Sequence, residues 1–362
     1  MSNPAQQRSI MHVNVRPTSH AEELYLPNMA QQRPAVITAA GRVAQIPAHP
    51  SYNLVYQGGK TIPHLTFTML YVGGDGAWSG SDRTNIDQAL SGVMEDRDLN
   101  NVLQQYFSGT TISSTFRPSR ILSGSPPATV SQSDAEQIIS NLHQQGQLNG
   151  FDFTQTVFGL VLPSGTVLND NSTSSGLGVR AISAAGTTSV SSLQGLGGYH
   201  DAVQVGNTTI YYAIVVYAEH LASGQDNGIV AFAQPWQNVV AAMYHELNEA
   251  RTDPDVNGTP GWISNPISDF GGQSVEVGDA PVFEAGNDLS LVFKEVPLVN
   301  GGTAPIQLLW SDDVSGPEGP RTTPDPPAST AGGGGGTSPV VGIILAIVVI
   351  LAIIAGFFIL HH

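Results

Sequence analysis

His245 and Glu246, followed by Glu249 in YHELNEARTDPDVNG (residues 244–258), have the residue types and spacing of hydrolytic metal chemistry. Zinc hydrolases place two ligands one helical turn apart and set a Glu beside the first as general base. In this chain His245 and Glu249 take the ligand positions and Glu246 that of the base. A carboxylate can replace an imidazole on zinc, so HExxE is a workable variant of HExxH. A third ligand is required. Asp253 closes the helix, because the following Pro254 disfavours helical geometry. Asp255 lies ten residues after His245. Glu276 and Asp279, in SVEVGDAP, stand on the next segment, and His200, in GGYHD, reads as a loop residue before a strand.

Two other readings of the stretch stay open. Asp253, Asp255, Asn257 and Gly258 match the start of a calcium loop, D-x-D-x-N-G. An EF-hand needs a bidentate Glu at its twelfth position, and Ser264 stands there. Calcium on these carboxylates in another geometry is the alternative cofactor to zinc. The plainest alternative is an acidic helix end whose Asn-Gly makes a turn.

These residues need elements to hold them. Pro235 suits a first helical position, and the pattern runs to about Thr252. At 100° per residue Trp236, Val240, Met243, Leu247 and Ala250 share a core face. His245 and Glu249 lie opposite, beside Asn238, Ala241 and Ala242. Alanines there let another element approach closely, which places the pair in a cleft. Upstream, His64–Val72, Thr156–Leu162 and Ile210–Ala218 read as strands. A helical region runs from Ser81 to Phe107 with a break near Asp96–Asp98. Ser131 or Ser133 caps a helix to about Gln147. Residues 163–199, rich in Gly, Ser and Thr, read as loops or edge strands, and Gly261–Trp310 as irregular with short strands. The expected fold is α/β or α+β: one zincin-like domain, a mixed sheet flanked by helices.

Composition bounds the partners. The net charge is -16, with 29 acids and 13 bases, which argues against nucleic acid. The absence of cysteine removes disulfides, thiolate zinc and cysteine catalysis. Residues 1–50 read as an irregular lead-in without an apolar signal core, and residues 51–313 as the globular domain. Residues 314–339 form a Pro/Gly-rich linker. Val340–Leu360 holds 21 residues without a charge. As a helix it reaches about 31 Å, so it is expected to be a C-terminal transmembrane helix and tail anchor. The expected localisation is therefore the membrane, with no orientation set, because few Lys or Arg flank the span.

The order of motifs resembles the phosphate-induced/EXORDIUM-like family over about 260 residues, the whole globular part. The matching pieces are YQGGKTIPHLTFTMLYVGGDGAWSGSDRTNIDQAL, NNVLQQYF, TVFGLVLP, GGYHD, IYYAIVVY, YHELNEARTDP, GW followed by VEVGDA, and IQLLWSDD. The resemblance gives weight to His200, His245, Glu246, Glu249, Asp253, Pro254, Glu276 and Asp279, each of which matches a family motif position. Family members commonly carry cysteines beside GYH and after GD; here glycine and Ala280 stand there. Family members are typically exported, and plant members are linked to growth at the cell surface.

Two functions follow as expectations. One is a membrane-tethered zinc hydrolase acting on a peptide or cell-envelope substrate. It would use His245 and Glu249 as ligands, Glu246 as base, and a carboxylate from Asp279, Glu276 or Asp253. The other is a non-catalytic interaction module whose acidic cluster is structural and holds a cation at most.

Overall fold

The structure, a computed structural model, describes residues 10–12, 46–97, 99–170, 190–270, 272, 274–286, 288–298 and 301–320. Its centre is a seven-stranded mixed sheet. The strands are β1 (Ile10–His12), β2 (His64–Tyr71), β3 (Ser113–Phe116), β4 (Arg120–Ile121), β5 (Thr156–Val161), β6 (Leu196–Val205) and β7 (Thr208–Val215). They are ordered β1-β6-β7-β5-β2-β3, with β4 also on β2. The β7, β5, β2 and β3 neighbours are parallel; β6 pairs antiparallel with both β7 and β1.

The central strands are apolar on both faces because both faces are covered. Leu65, Phe67, Met69, Tyr71, Val157, Val161, Ala213 and Val215 point to one side. They pack on α1 (Gly80–Glu95) and α3 (Pro235–Thr252). Leu70, Phe158, Leu160, Tyr212 and Ile214 point to the other side, toward α2 (Gln132–Gln144). Helix starts follow local chemistry: Ser79 caps α1, Ser131 and Asp134 form a capping box on α2, and Pro235 opens α3.

α3 contacts β5, β6, β7 and α1, and also β9 (Thr303–Gln307), which pairs with β8 (Phe293–Pro297). Every residue from Asn238 to Thr252 is buried. The face expected to line a cleft is thus closed over. The segment after α3 is more ordered than its composition implies, with a short helix α4 (Asp279–Ala285) starting at Asp279.

Three expectations need correction. The stretch 163–199, read as loops or edge strands, holds the edge strand Val190–Ser191, but its last residues begin β6, which is paired on both sides rather than at an edge. The irregular lead-in supplies β1, which pairs with β6 and runs beside α4. The transmembrane helix, and the membrane localisation drawn from it, have no support: among the described residues no helix is long and apolar enough to cross a membrane. Val340–Leu360 lies outside the described residues.

Candidate metal centre

The helical period places His245 and Glu249 one turn apart on α3, with Glu246 on the adjoining flank. Strand alternation places His200 on the same side of the sheet as Ala213, its partner in register, and that side faces α3. His200 therefore sits inside a strand, not on a loop, and is fully buried. In GLGGYHD, Gly198 lies inside strand β6 at a point where a larger residue would not fit. A Cβ on Gly198 would lie 2.8 Å from Val215 Cγ1 and 3.2 Å from Glu246 Oε1. Gly278, immediately before α4, does the same on the other flank. A Cβ there would lie 2.6 Å from His245 Cε1 and 2.9 Å from Glu249 Oε1. Two glycines thus let a strand and a turn close on the polar face of α3.

His245 is held from behind. Its Nδ1 is 2.9 Å from Gln307 Oε1 on β9. Gln307 spends its amide hydrogen on the Gly278 carbonyl at 2.6 Å, so its oxygen must accept from His245 Nδ1. Nε2 then points into the cluster. Nε2 lies 3.0 Å from Glu249 Oε2, 3.9 Å from Asp279 Oδ1 and 3.9 Å from Glu246 Oε1. It is buried and makes no hydrogen bond of acceptable geometry, even to the nearby Glu249. Glu249 Oε1 accepts from Gly278 N at 3.0 Å, which turns its Oε2 toward both histidines.

His200 is held in the same manner. Its Nε2 donates to the Asp253 carbonyl at 2.9 Å. Its Nδ1 then faces Glu246 Oε2 at 3.3 Å and Glu249 Oε2 at 3.7 Å, while Glu276 Oε1 lies 3.5 Å from Nε2. Glu246 reaches between the two histidines, and its Oε1 has no hydrogen-bond partner. Asp279 Oδ2 accepts from Glu276 N at 3.2 Å, so these two acids are tied in one turn.

The chemistry of this donor set suits a divalent cation. Around an ion with bonds of 2.0–2.2 Å, tetrahedral ligand atoms stand about 3.4 Å apart. The separations above bracket that value. His245, Glu249 and Asp279 each offer one atom within 4.8 Å of the others, and so do His200, Glu249 and Glu276. Metal-ligating imidazoles usually donate their second N–H to a carbonyl or carboxylate, as both histidines do here.

The crowding of these buried groups sets their protonation. Burial lowers the His245 and His200 pKa values, and the carboxylates of Glu249 and Glu246 outweigh it, holding them at about 10 and about 9. Burial pushes Glu246 up and Asp279 well up from the carboxylate range. Carboxylates crowded in a dry interior hold protons unless a positive charge joins them.

Of the residues singled out from sequence, the structure brings His200, His245, Glu246, Glu249, Glu276 and Asp279 together. Asp253 contributes differently. Its Oδ1 accepts from Gly261 N at 3.0 Å, and only its main-chain carbonyl reaches the cluster. Burial raises its carboxyl to about 6. The calcium-loop residues do not converge on one point. Asn257 donates to Asp201 Oδ1 at 2.6 Å, and Gly258 N turns back to the Asp255 carbonyl at 2.9 Å. Gln307 and Gly278 were not legible as site residues. The available signal was a polar residue closing the strand TAPIQ, and a glycine just before the acid that starts a helix.

No family model matches the chain, and no curated protein matches it. Among solved structures, the crystal structure of metalloproteinase-II from Bacteroides fragilis is 15% identical, with a TM-score of 0.25. That match covers 57% of this chain and 49% of the other, about half its length. A likeness of that size decides neither fold nor activity, so the site rests on its own geometry.

Proposed function

We propose that this chain is an EXORDIUM-like metal-dependent hydrolase. It holds a divalent ion, zinc in the first instance, on His245, Glu249 and Asp279, and it cleaves peptide bonds. The supporting observation is the state of His245. Its Nδ1 is tied to Gln307, and its fully buried Nε2 lies among carboxylate oxygens with no hydrogen bond of its own. A divalent ion in such a place supplies Lewis acidity and lowers the pKa of water toward neutrality.

The chain's own residues have distinct parts in this reading. Glu246 Oε1, unbonded and beside His245, takes the proton from water. Its burial raises its basicity, which suits a group that must accept a proton and then release it. His200 grips Glu246 Oε2 and keeps Oε1 turned toward His245. Gln307 and the Gly278 N–H fix the ring of His245 and the carboxylate of Glu249.

One observation favours a second reading, a structural cation site in a non-catalytic module. His200, His245, Glu246 and Glu249 are all fully buried. A surface cleft of about 810 Å³, lined by Asn85, Gln88, Gly92, Trp236 and Leu298 among others, includes none of them. Glu246→Gln separates the two readings. It preserves size and leaves the proposed ligands in place. The hydrolase reading expects zinc content unchanged and cleavage of a quenched-fluorescent peptide library reduced at least about 100-fold. Cleavage equal to wild type removes Glu246 as base. Zinc bound by a wild-type chain that cleaves nothing in the library supports the structural reading.

A further inference from the structure

We infer that the centre is binuclear: a second divalent cation sits on His200 and Glu276, and Glu249 bridges the two ions. The inference rests on the metal-binding reading above and extends it.

The geometry supplies two donor sets, not one. Each consists of a histidine, Glu249 and a further carboxylate: His245 with Asp279, and His200 with Glu276. Glu249 alone belongs to both. Its Oε1 is fixed by Gly278 N, and its Oε2 stands 3.0 Å from His245 Nε2 and 3.7 Å from His200 Nδ1. A carboxylate so placed between two imidazoles is suited to bridging ions about 3.5–4 Å apart. Gln307 Oε1 ties His245 from behind, and His200 presents Nδ1 to Glu249 Oε2 at 3.7 Å and Nε2 to Glu276 Oε1 at 3.5 Å.

Glu246 gives an independent indication. It is fully buried and spans the two halves, with Oε2 at 3.3 Å from His200 Nδ1 and Oε1 at 3.9 Å from His245 Nε2. Oε1 has no hydrogen bond. Charge points the same way. With neutral histidines, Glu246, Glu249, Glu276 and Asp279 carry a formal charge of -4, which one divalent ion halves and two cancel. In a dry interior that difference is large.

The test is metal stoichiometry on the purified full chain. The chain is saturated with Zn²⁺, freed of excess ion by gel filtration and assayed by elemental mass spectrometry. The expected content is two ions per chain, falling to one in His200→Phe and in Glu276→Gln. A wild-type content of one, lost in His245→Phe and unchanged in His200→Phe, overturns the second ion and leaves the single-ion hydrolase standing. A wild-type content of zero overturns both. Should the variants fail to fold, electron paramagnetic resonance of the Mn²⁺-loaded wild type decides the matter. Two ions sharing a carboxylate give a broad, exchange-coupled spectrum; the sharp hyperfine pattern of isolated Mn²⁺ alone overturns the inference.

Discussion

Gly278→Ala tests the close approach on which the site depends. Gly278 has φ -96° and ψ -27°, a conformation alanine adopts freely, so no backbone strain confuses the result. The added methyl would fall 2.6 Å from His245 Cε1 and 2.9 Å from Glu249 Oε1. Ordinary contact begins at 3.4 Å and His245 Nδ1 lies closer still than Cε1, so the ring must retreat by at least about 0.8 Å, the difference between 3.4 and 2.6. Retreat is resisted, because Gln307 ties the ring and the Gly278 carbonyl ties Gln307. Overpacking of this kind costs about 1–3 kcal/mol, and a compatible Gly→Ala change returns about 0.4–1 kcal/mol through the unfolded state. A net loss of about 1–2 kcal/mol in stability is expected. The effect on metal should be larger. A shift of about 0.8 Å is more than a third of a bond of about 2.1 Å, and disturbed ligand orientation weakens binding by about 10–100-fold. The assay is competition for Zn²⁺ against a fluorescent chelator, with thermal melting alongside. Gly80→Ala, whose added methyl meets nothing within 4 Å, serves as control. Zinc affinity in Gly278→Ala within twofold of wild type would refute the reasoning.

Two further outcomes are expected. Gln307→Leu removes the acceptor of His245 Nδ1 and should weaken zinc binding about 10–100-fold with the fold retained; chelator competition checks it, and an unchanged affinity means Gln307 does not orient the ligand. The pH dependence has a definite sign. His245 and His200 are held at about 10 and about 9, so both carry protons at neutral pH in the metal-free chain and must lose them to become ligands. Metal uptake should therefore release protons, and affinity should rise with pH up to those values and fall as pH drops. Calorimetry in two buffers of different ionisation enthalpy measures the release, and no release at neutral pH would show that metal displaces no proton from these histidines.

The first half of the site was legible because it is local. HExxE lies on one helix, and the helical repeat alone puts His245 and Glu249 on one face. The expected span of that helix, Pro235 to Thr252, is the one observed, because a proline opens it and Asp253–Pro254 closes it. What surrounds the face was less legible. Alanines on it signalled a close neighbour, but burial of every residue from Asn238 to Thr252 follows from two separate elements, β6 and β9, arriving on it. His200 was misplaced onto a loop because a glycine-rich run reads as loop by composition. In the fold Gly198 lies within strand β6, with Ile214, Val215 and Glu246 pressed against it.

The sequence by itself determined the alternating strands and helices, the helix carrying the acids, and the residue types a metal would need. Each of these depends on contacts within a few residues, which periodicity and capping report directly. Tertiary structure alone decided which acids meet which histidine. Asp279 and Glu276 come from a turn closed by Gly278, His200 from a strand held to α3 by register with β7, and Gln307 from a strand on the far side of the helix. Asp253, nearer in sequence, turns its carboxylate instead to Gly261 N, a donor brought to it by the chain after the helix.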